Sequence, residues 1–234
     1  MKTTSLNWGC GLIATAPLFA GHLVFPNQLR FLLLSWFCSF VCTVLLIICS
    51  LSSLFTKNPW FILLWSLPFD VLGKVLLKFF GCRFKFLSSP HSRINLGFAC
   101  GLGFALSHVL TLYLPFVFDQ PYSIDFHRDY PNYLPDCLDL AIVNHMVCLS
   151  HMAISLILFR FASFNIFAMY FIVLAYEYGI GALSQVPILW LKYVVMFVVC
   201  YGSFIFGIIS FRSMPYENPN VNLNHESEYK EDDD

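Results

Sequence analysis

The amino-acid sequence predicts an all-α polytopic membrane protein, a bundle of seven transmembrane helices with the N-terminus outside or lumenal and the C-terminus cytoplasmic. Three observations lead there. Hydrophobic residues make up 58% of the 234 positions and charged residues 12%, with a mean hydropathy of +0.70, far from the balance of a soluble domain. Seven stretches approach or exceed the roughly 20 mainly apolar residues that a bilayer crossing requires. Lysine and arginine collect on one side of those stretches, as they do on cytoplasmic faces. The partner implied first is therefore the lipid bilayer, and no nucleic acid is expected.

The spans read in order as Leu6 to Phe25, Phe31 to Phe55, Trp60 to Phe80, Ile94 to Phe118, Leu138 to Phe159, Phe161 to Pro187 and Ile188 to Phe211. Leu6 to Ala16 imitates a cleavable leader, with Ala14-Thr15-Ala16 as a small-residue site. Pro17 follows directly and the apolar run continues, so the segment is read as a retained first span. Pro68, Asp70, Lys74 and Lys78 interrupt the third span and make it the least regular. Lys78, Arg83, Lys85 and Arg93 mark the connection after it as cytoplasmic. Alternation then puts Arg30, Arg160 and Arg212 inside as well, and the acidic segment Asp119 to Asp136 outside; Lys2 and Lys57 run against this pattern. Short connections make neighbouring helices antiparallel. Residues 1–213 form the membrane domain, and residues 214–234, with Pro215, Pro219, four asparagines and a closing Glu-Asp-Asp-Asp run, read as a disordered acidic cytoplasmic tail.

Nine cysteines are scattered, mostly within spans. They form no Cys-x-x-Cys or zinc-like pattern, so small apolar filler is their expected role. Cys137 alone lies near the outer face, which implies no disulfide framework. No Asn-x-Ser/Thr acceptor is present.

Polar residues at membrane depth are costly and must be paired, buried between helices or used. On the fifth span Asn144, Cys148, His151 and Ser155 recur at steps of four, three and four and share one helix face. His145 falls on another face, so the two imidazoles do not chelate one metal from the same helix, and no metal is expected. On the sixth span Tyr170, Glu177, Gly181 and Ser184 make a similar stripe. His151 and Glu177 are equally distant from Phe164. If Ala162 to Asn165 form the turn of an antiparallel pair, the two sit at one depth and can meet as an intramembrane polar pair. On the third span Asp70 and Lys74, four apart, suit an internal ion pair, while Lys78 is placed to snorkel outward. Gly97, Gly101 and Ala105, with Gly103 and Ser107 nearby, give the fourth span a small-residue ridge for helix packing or partner docking. His22 and Lys192 lie near span ends and read as interfacial.

Several strings resemble the anterior-pharynx-defective subunit family of gamma-secretase, the presenilin-containing intramembrane protease complex. They are Trp8-Gly9-Cys10 followed by Ala14, Pro17 and Ala20; Leu29-Arg30 leading the second span; and Gly101-Leu102-Gly103-Phe104. The fifth-span histidine is matched by His151, and a polar position twenty-six residues later, in a Phe-Ile-Val-Leu context, by Glu177. The family has histidine at that second position, and it extends the glycine run where this chain has Ala105 and Val109. Its acidic and basic third-span residues look like Asp70 and Lys74 with altered identity and spacing. The resemblance implies a divergent, non-catalytic scaffold without cofactors, partnered by presenilin, nicastrin and a presenilin-enhancer subunit. Such a scaffold supports cleavage of type I membrane proteins, including those of Notch signalling, in endoplasmic reticulum, Golgi, plasma or endosomal membranes.

Two other classes compete. His108, His151, Glu177, Asp70 and Lys74 could line a proton or ion path, making the chain a coupled transporter that uses His151 and Glu177. An independent enzyme is disfavoured, because no serine nucleophile with a base, His-Glu-x-x-His or paired-aspartate set completes a catalytic group. A seven-span receptor is disfavoured by the lack of an Asn-Pro motif in the last span.

Overall fold

Hydrocarbon offers backbone amides and carbonyls no partner, so a chain this apolar satisfies them inside helices. The computed structural model describes residues 3–23, 29–51, 59–83, 90–113, 136–161 and 165–212. Over them lie seven α-helices and no strand: α1 (Thr3–Leu23), α2 (Leu29–Leu51), α3 (Pro59–Arg83), α4 (Pro90–His108), α5 (Asp136–Arg160), α6 (Ile166–Ser184) and α7 (Leu189–Arg212). Within their described residues five of these, α2, α4, α5, α6 and α7, are long and apolar enough to cross a bilayer. The C-terminal tail, most of the Asp119 to Asp136 segment, Lys2, Lys57 and Lys85 lie outside the described residues.

Each predicted span holds one helix, with shifted ends. Pro68 does not break α3, which is one helix of 25 residues. The fourth span continues past His108 into a π-helical turn, Val109–Tyr113. The sixth span begins at Ile166 instead of Phe161, because the Asn165 side chain accepts the Phe167 amide at 2.9 Å and caps the helix there. It ends at Ser184, where the Gln185 amide closes the last turn on the Ala182 carbonyl at 3.1 Å. Thus Gln185 to Ile188, placed in spans by the sequence reading, form the α6–α7 connection.

α4 and α5 pack on each other most extensively, with α2 on the other side of α4 and α7 and α1 against α5. α3 leans chiefly on α6 and α2 and touches α4 and α5 little. Apolar contact alone gives no drive for helices to associate in lipid. Close approach is what holds the centre. A methyl group at Gly101 would sit 2.6 Å from the Met152 Cα and 2.9 Å from the His151 carbonyl oxygen on α5. One at Gly103 would collide with the Ser35 carbonyl and lie 2.7 Å from the Cys38 Cβ on α2. Two glycines two positions apart therefore seat α4 against two helices at once.

Polar seams complete the packing. Ser107 donates to the Ser39 carbonyl at 2.7 Å between α4 and α2. His145 Nδ1 donates to the Ile13 carbonyl at 2.9 Å, which leaves its Nε2 to accept from the Tyr201 hydroxyl at 2.8 Å. One imidazole thereby ties α5 to α1 and α7. The six cysteines with described side chains, Cys10, Cys38, Cys42, Cys100, Cys148 and Cys200, are all buried thiols.

Candidate functional site: a buried lysine among two carboxylates and an imidazole

Lys74 is the largest fully buried side chain among those described, at 1% exposure. Its ammonium has three N–H donors and no acceptor, and it finds three acceptors on three helices. It donates to Asp70 Oδ2 on its own helix at 2.6 Å, to His151 Nδ1 on α5 at 2.7 Å, and to Glu177 Oε1 on α6. The count of donors equals the count of acceptors. A fourth stabilising contact is the Phe104 ring of α4, whose centroid lies 4.9 Å from Nζ.

The neighbours of the cluster are polar too. Asp70 Oδ1 accepts from the Cys42 thiol of α2 at 3.5 Å. The His108 ring at the end of α4 lies 4.2 Å from the His151 ring, centroid to centroid, inclined by 41°. Because an ammonium cannot accept, His151 Nδ1 must, so the imidazole is neutral with its proton on Nε2. That Nε2 and His108 Nδ1 are both buried without a hydrogen-bond partner.

The sequence reading placed Asp70 with Lys74 and His151 with Glu177 as separate pairs, and the structure merges the two. His151 Nδ1 and Glu177 Oε1 are 3.4 Å apart, but the lysine between them makes the shorter contacts. His151, Glu177, Asp70, Lys74 and His108 thus converge at one place. Asn144, Cys148 and Ser155, on the His151 face, are buried as expected of a stripe that meets protein. His145 points elsewhere, to α1 and α7.

One expectation is corrected. Lys78 does not snorkel: it is buried and donates to the Phe161 carbonyl beyond the end of α5 at 3.1 Å. Lys192, in the first turn of α7, is buried with its ammonium on Asp139 Oδ1 at 2.5 Å, and Tyr193 donates to the same oxygen at 2.5 Å. The small-residue ridge is filled from within the chain. Gly97 faces Phe159 and Gly101 faces Met152 and His151 on α5, Ala105 is fully buried, and Gly103 faces α2.

Asp70, His151 and Glu177 also present ligand atoms within 4.8 Å of one another, a spacing that suits a metal ion. Lys74 Nζ bonds to all three. The place of a cation is held by an ammonium the chain supplies itself. No protein-family model matches this chain, and no curated protein matches it in sequence.

Proposed function

We propose that this chain is a non-catalytic assembly subunit of a presenilin-type intramembrane protease complex, with all seven helices spanning the bilayer, the N-terminus outside and the C-terminus in the cytoplasm. One observation carries the reading. The Asp70 and Glu177 carboxylates are engaged by a single lysine whose every donor is used, an arrangement that fixes helices and leaves no carboxylate poised to activate water. The five described helices of membrane-crossing character and the resemblance of the Trp8-Gly9-Cys10 and Gly101 to Phe104 strings support it further. In this role α4 and α5 form the rigid centre, while α6 and α7, rich in exposed apolar side chains such as Phe167, Phe171, Phe197 and Phe206, face lipid or partner helices. Presenilin, nicastrin and presenilin-enhancer chains are the partners, and complex maturation in the endoplasmic reticulum and Golgi is the setting.

The test is co-purification of the tagged chain in mild detergent, with intramembrane cleavage of a type I substrate measured after its depletion. Recovery of presenilin-like and nicastrin-like chains and loss of cleavage are expected. Absence of both partners from the purified material overturns the assignment.

A second reading, proton-coupled transport, is favoured by the two unpartnered imidazole nitrogens beside the cluster. Proton flux in liposomes containing the chain alone, lost in His151→Ala and Glu177→Ala, would establish it in place of the scaffold.

A further inference from the structure

The two ends of the bundle treat their cations differently. Where α5 and α7 begin, the Lys192 ammonium lies on the Asp139 carboxylate at 2.5 Å. At the other end six basic residues collect from five helices: Arg30 in the first turn of α2, Lys78 and Arg83 toward the end of α3, Arg93 in the first turn of α4, and Arg160 and Arg212 closing α5 and α7. Contacts bring these termini together. Gly97 of α4 packs on Phe159 of α5, Phe31 of α2 packs with Ala99 of α4, and Lys78 reaches the Phe161 carbonyl. Among the described residues no carboxylate lies at this end. Asp70 and Glu177 are engaged by Lys74, and Asp136 and Asp139 lie in the first turn of α5, about 30 Å from Arg160 at 1.5 Å per helical residue.

Arg160 is the best defined of these cations. Its Nε donates to the Ser210 carbonyl of α7 at 2.7 Å, and its guanidinium carbon lies 5.7 Å from the centroid of the Phe161 ring. These contacts fix the plane of the fork but use one of its five N–H donors. The four on Nη1 and Nη2 have no acceptor among the described residues. Carbonyl dipoles at a helix end offset part of the charge without supplying a countercharge. The residue is half-buried and closes a segment of membrane-crossing character, and a charge beside hydrocarbon is costly until an anion meets it. A planar fork held this way suits two oxygens of one phosphate. An apolar wall adjoins it: Phe206, 54% exposed, is four residues before Ser210 on the same side of α7.

We infer that this basic end is a seat for an anionic phospholipid, with the headgroup phosphate held by the Arg160 fork and an acyl chain laid along Phe206. The surrounding cations raise the local concentration of such lipids through their summed field. A lipid fits better than a free phosphate because the fork lies at the end of a crossing helix, beside exposed apolar surface. The inference does not depend on the assembly role.

The experiment titrates the full-length chain, in a non-ionic detergent, with phosphatidylglycerol and with phosphatidylcholine of the same acyl chains, and counts bound lipids by native mass spectrometry. The two lipids differ in whether a headgroup amine cancels the phosphate charge. Phosphatidylglycerol is expected to bind more tightly by about fivefold or more, and Arg160→Gln should reduce that preference by about fivefold, the ratio that matches one basic residue at an anionic lipid surface. Arg160→Lys keeps the charge without the fork and should restore only part of it. Equal binding of the two lipids, an undiminished preference in Arg160→Gln, or full restoration by Arg160→Lys overturns the inference. Displacement of the lipid by millimolar inorganic phosphate would assign the seat to the free ion and overturns it too. Wild-type chain labelled by phosphatidylglycerol with a photoreactive headgroup gives a readout that needs no variant to fold. Labelling of the closing turns of α5 and α7 supports the seat, and labelling confined to the Asp139 and Lys192 end rejects it.

Discussion

The α4–α5 joint and the α3–α6 joint hold helices together by opposite means. Between α4 and α5 the decisive feature is missing matter: Gly101 lets the backbones approach until a single methyl would collide, and Gly97 leaves one only 3.1 Å from the Phe159 Cβ. Between α3, α6 and that centre, the decisive feature is added polarity, one lysine feeding three acceptors. The first joint is a sum of many small dispersion contacts and degrades gradually. The second stands or falls as a set, because removing one partner of a buried ion pair leaves the others uncompensated. In lipid, where apolar surface gains nothing by leaving the solvent, these are the two routes to adhesion.

The contrast is broken most severely by Lys74→Met, which leaves Asp70 and Glu177 without a countercharge. A loss of about 3–5 kcal/mol is expected, the usual cost of orphaning a buried charge, measured by detergent-resistant folding yield. Adding Asp70→Asn and Glu177→Gln to that variant should restore much of the yield, as polarity without charge is far cheaper to bury. Next comes Gly101→Ala. Its Cβ would press on the Met152 backbone, and overpacking of about 1–3 kcal/mol is expected in thermal unfolding; Gly97→Ala should cost less, since its nearest neighbour, the Phe159 Cβ, is 3.1 Å away where the Gly101 contact is 2.6 Å. Tyr201→Phe removes the hydroxyl that bonds to His145 Nε2 and should cost about 1 kcal/mol in the same assay. Smallest is Gly179→Ala or Gly202→Ala, where a methyl meets nothing within 4 Å. Better helix propensity makes these neutral or stabilising by up to about 1 kcal/mol, and a clear loss would mean that those faces are packed against something.

Much of the central arrangement was legible in the sequence because helical arithmetic is local. The equal spacing of His151 and Glu177 from Phe164 led to a contact at one depth, and the i,i+4 spacing led to Asp70 with Lys74. Bringing the two pairs together entered only through the transporter alternative, and that one lysine joins them was not legible, because the reach of a lysine across helices depends on how α3 leans on α6, and no periodicity encodes that. Nor does the sequence of α5 reveal which side meets α4 and which meets α7, since buried residues line most of its circumference. Lys78 was misplaced for a related reason. Its long stem can extend toward a membrane surface or fold back to a carbonyl, and only the position of Phe161 decides. The α6 start was set by one polar side chain, Asn165, within a run whose hydropathy favoured continuing the helix.

Lys74 also constrains the order of events during biosynthesis. Of its three acceptors only Asp70 is at hand when α3 leaves the ribosome; His151 follows 77 residues later and Glu177 103 residues later. At translation rates of about 5–20 residues per second, the ammonium waits on the order of ten seconds for its last acceptor. During that interval the charge of Lys74 is already balanced by Asp70, but one or two of its three donors lack the acceptors that the finished chain supplies from α5 and α6.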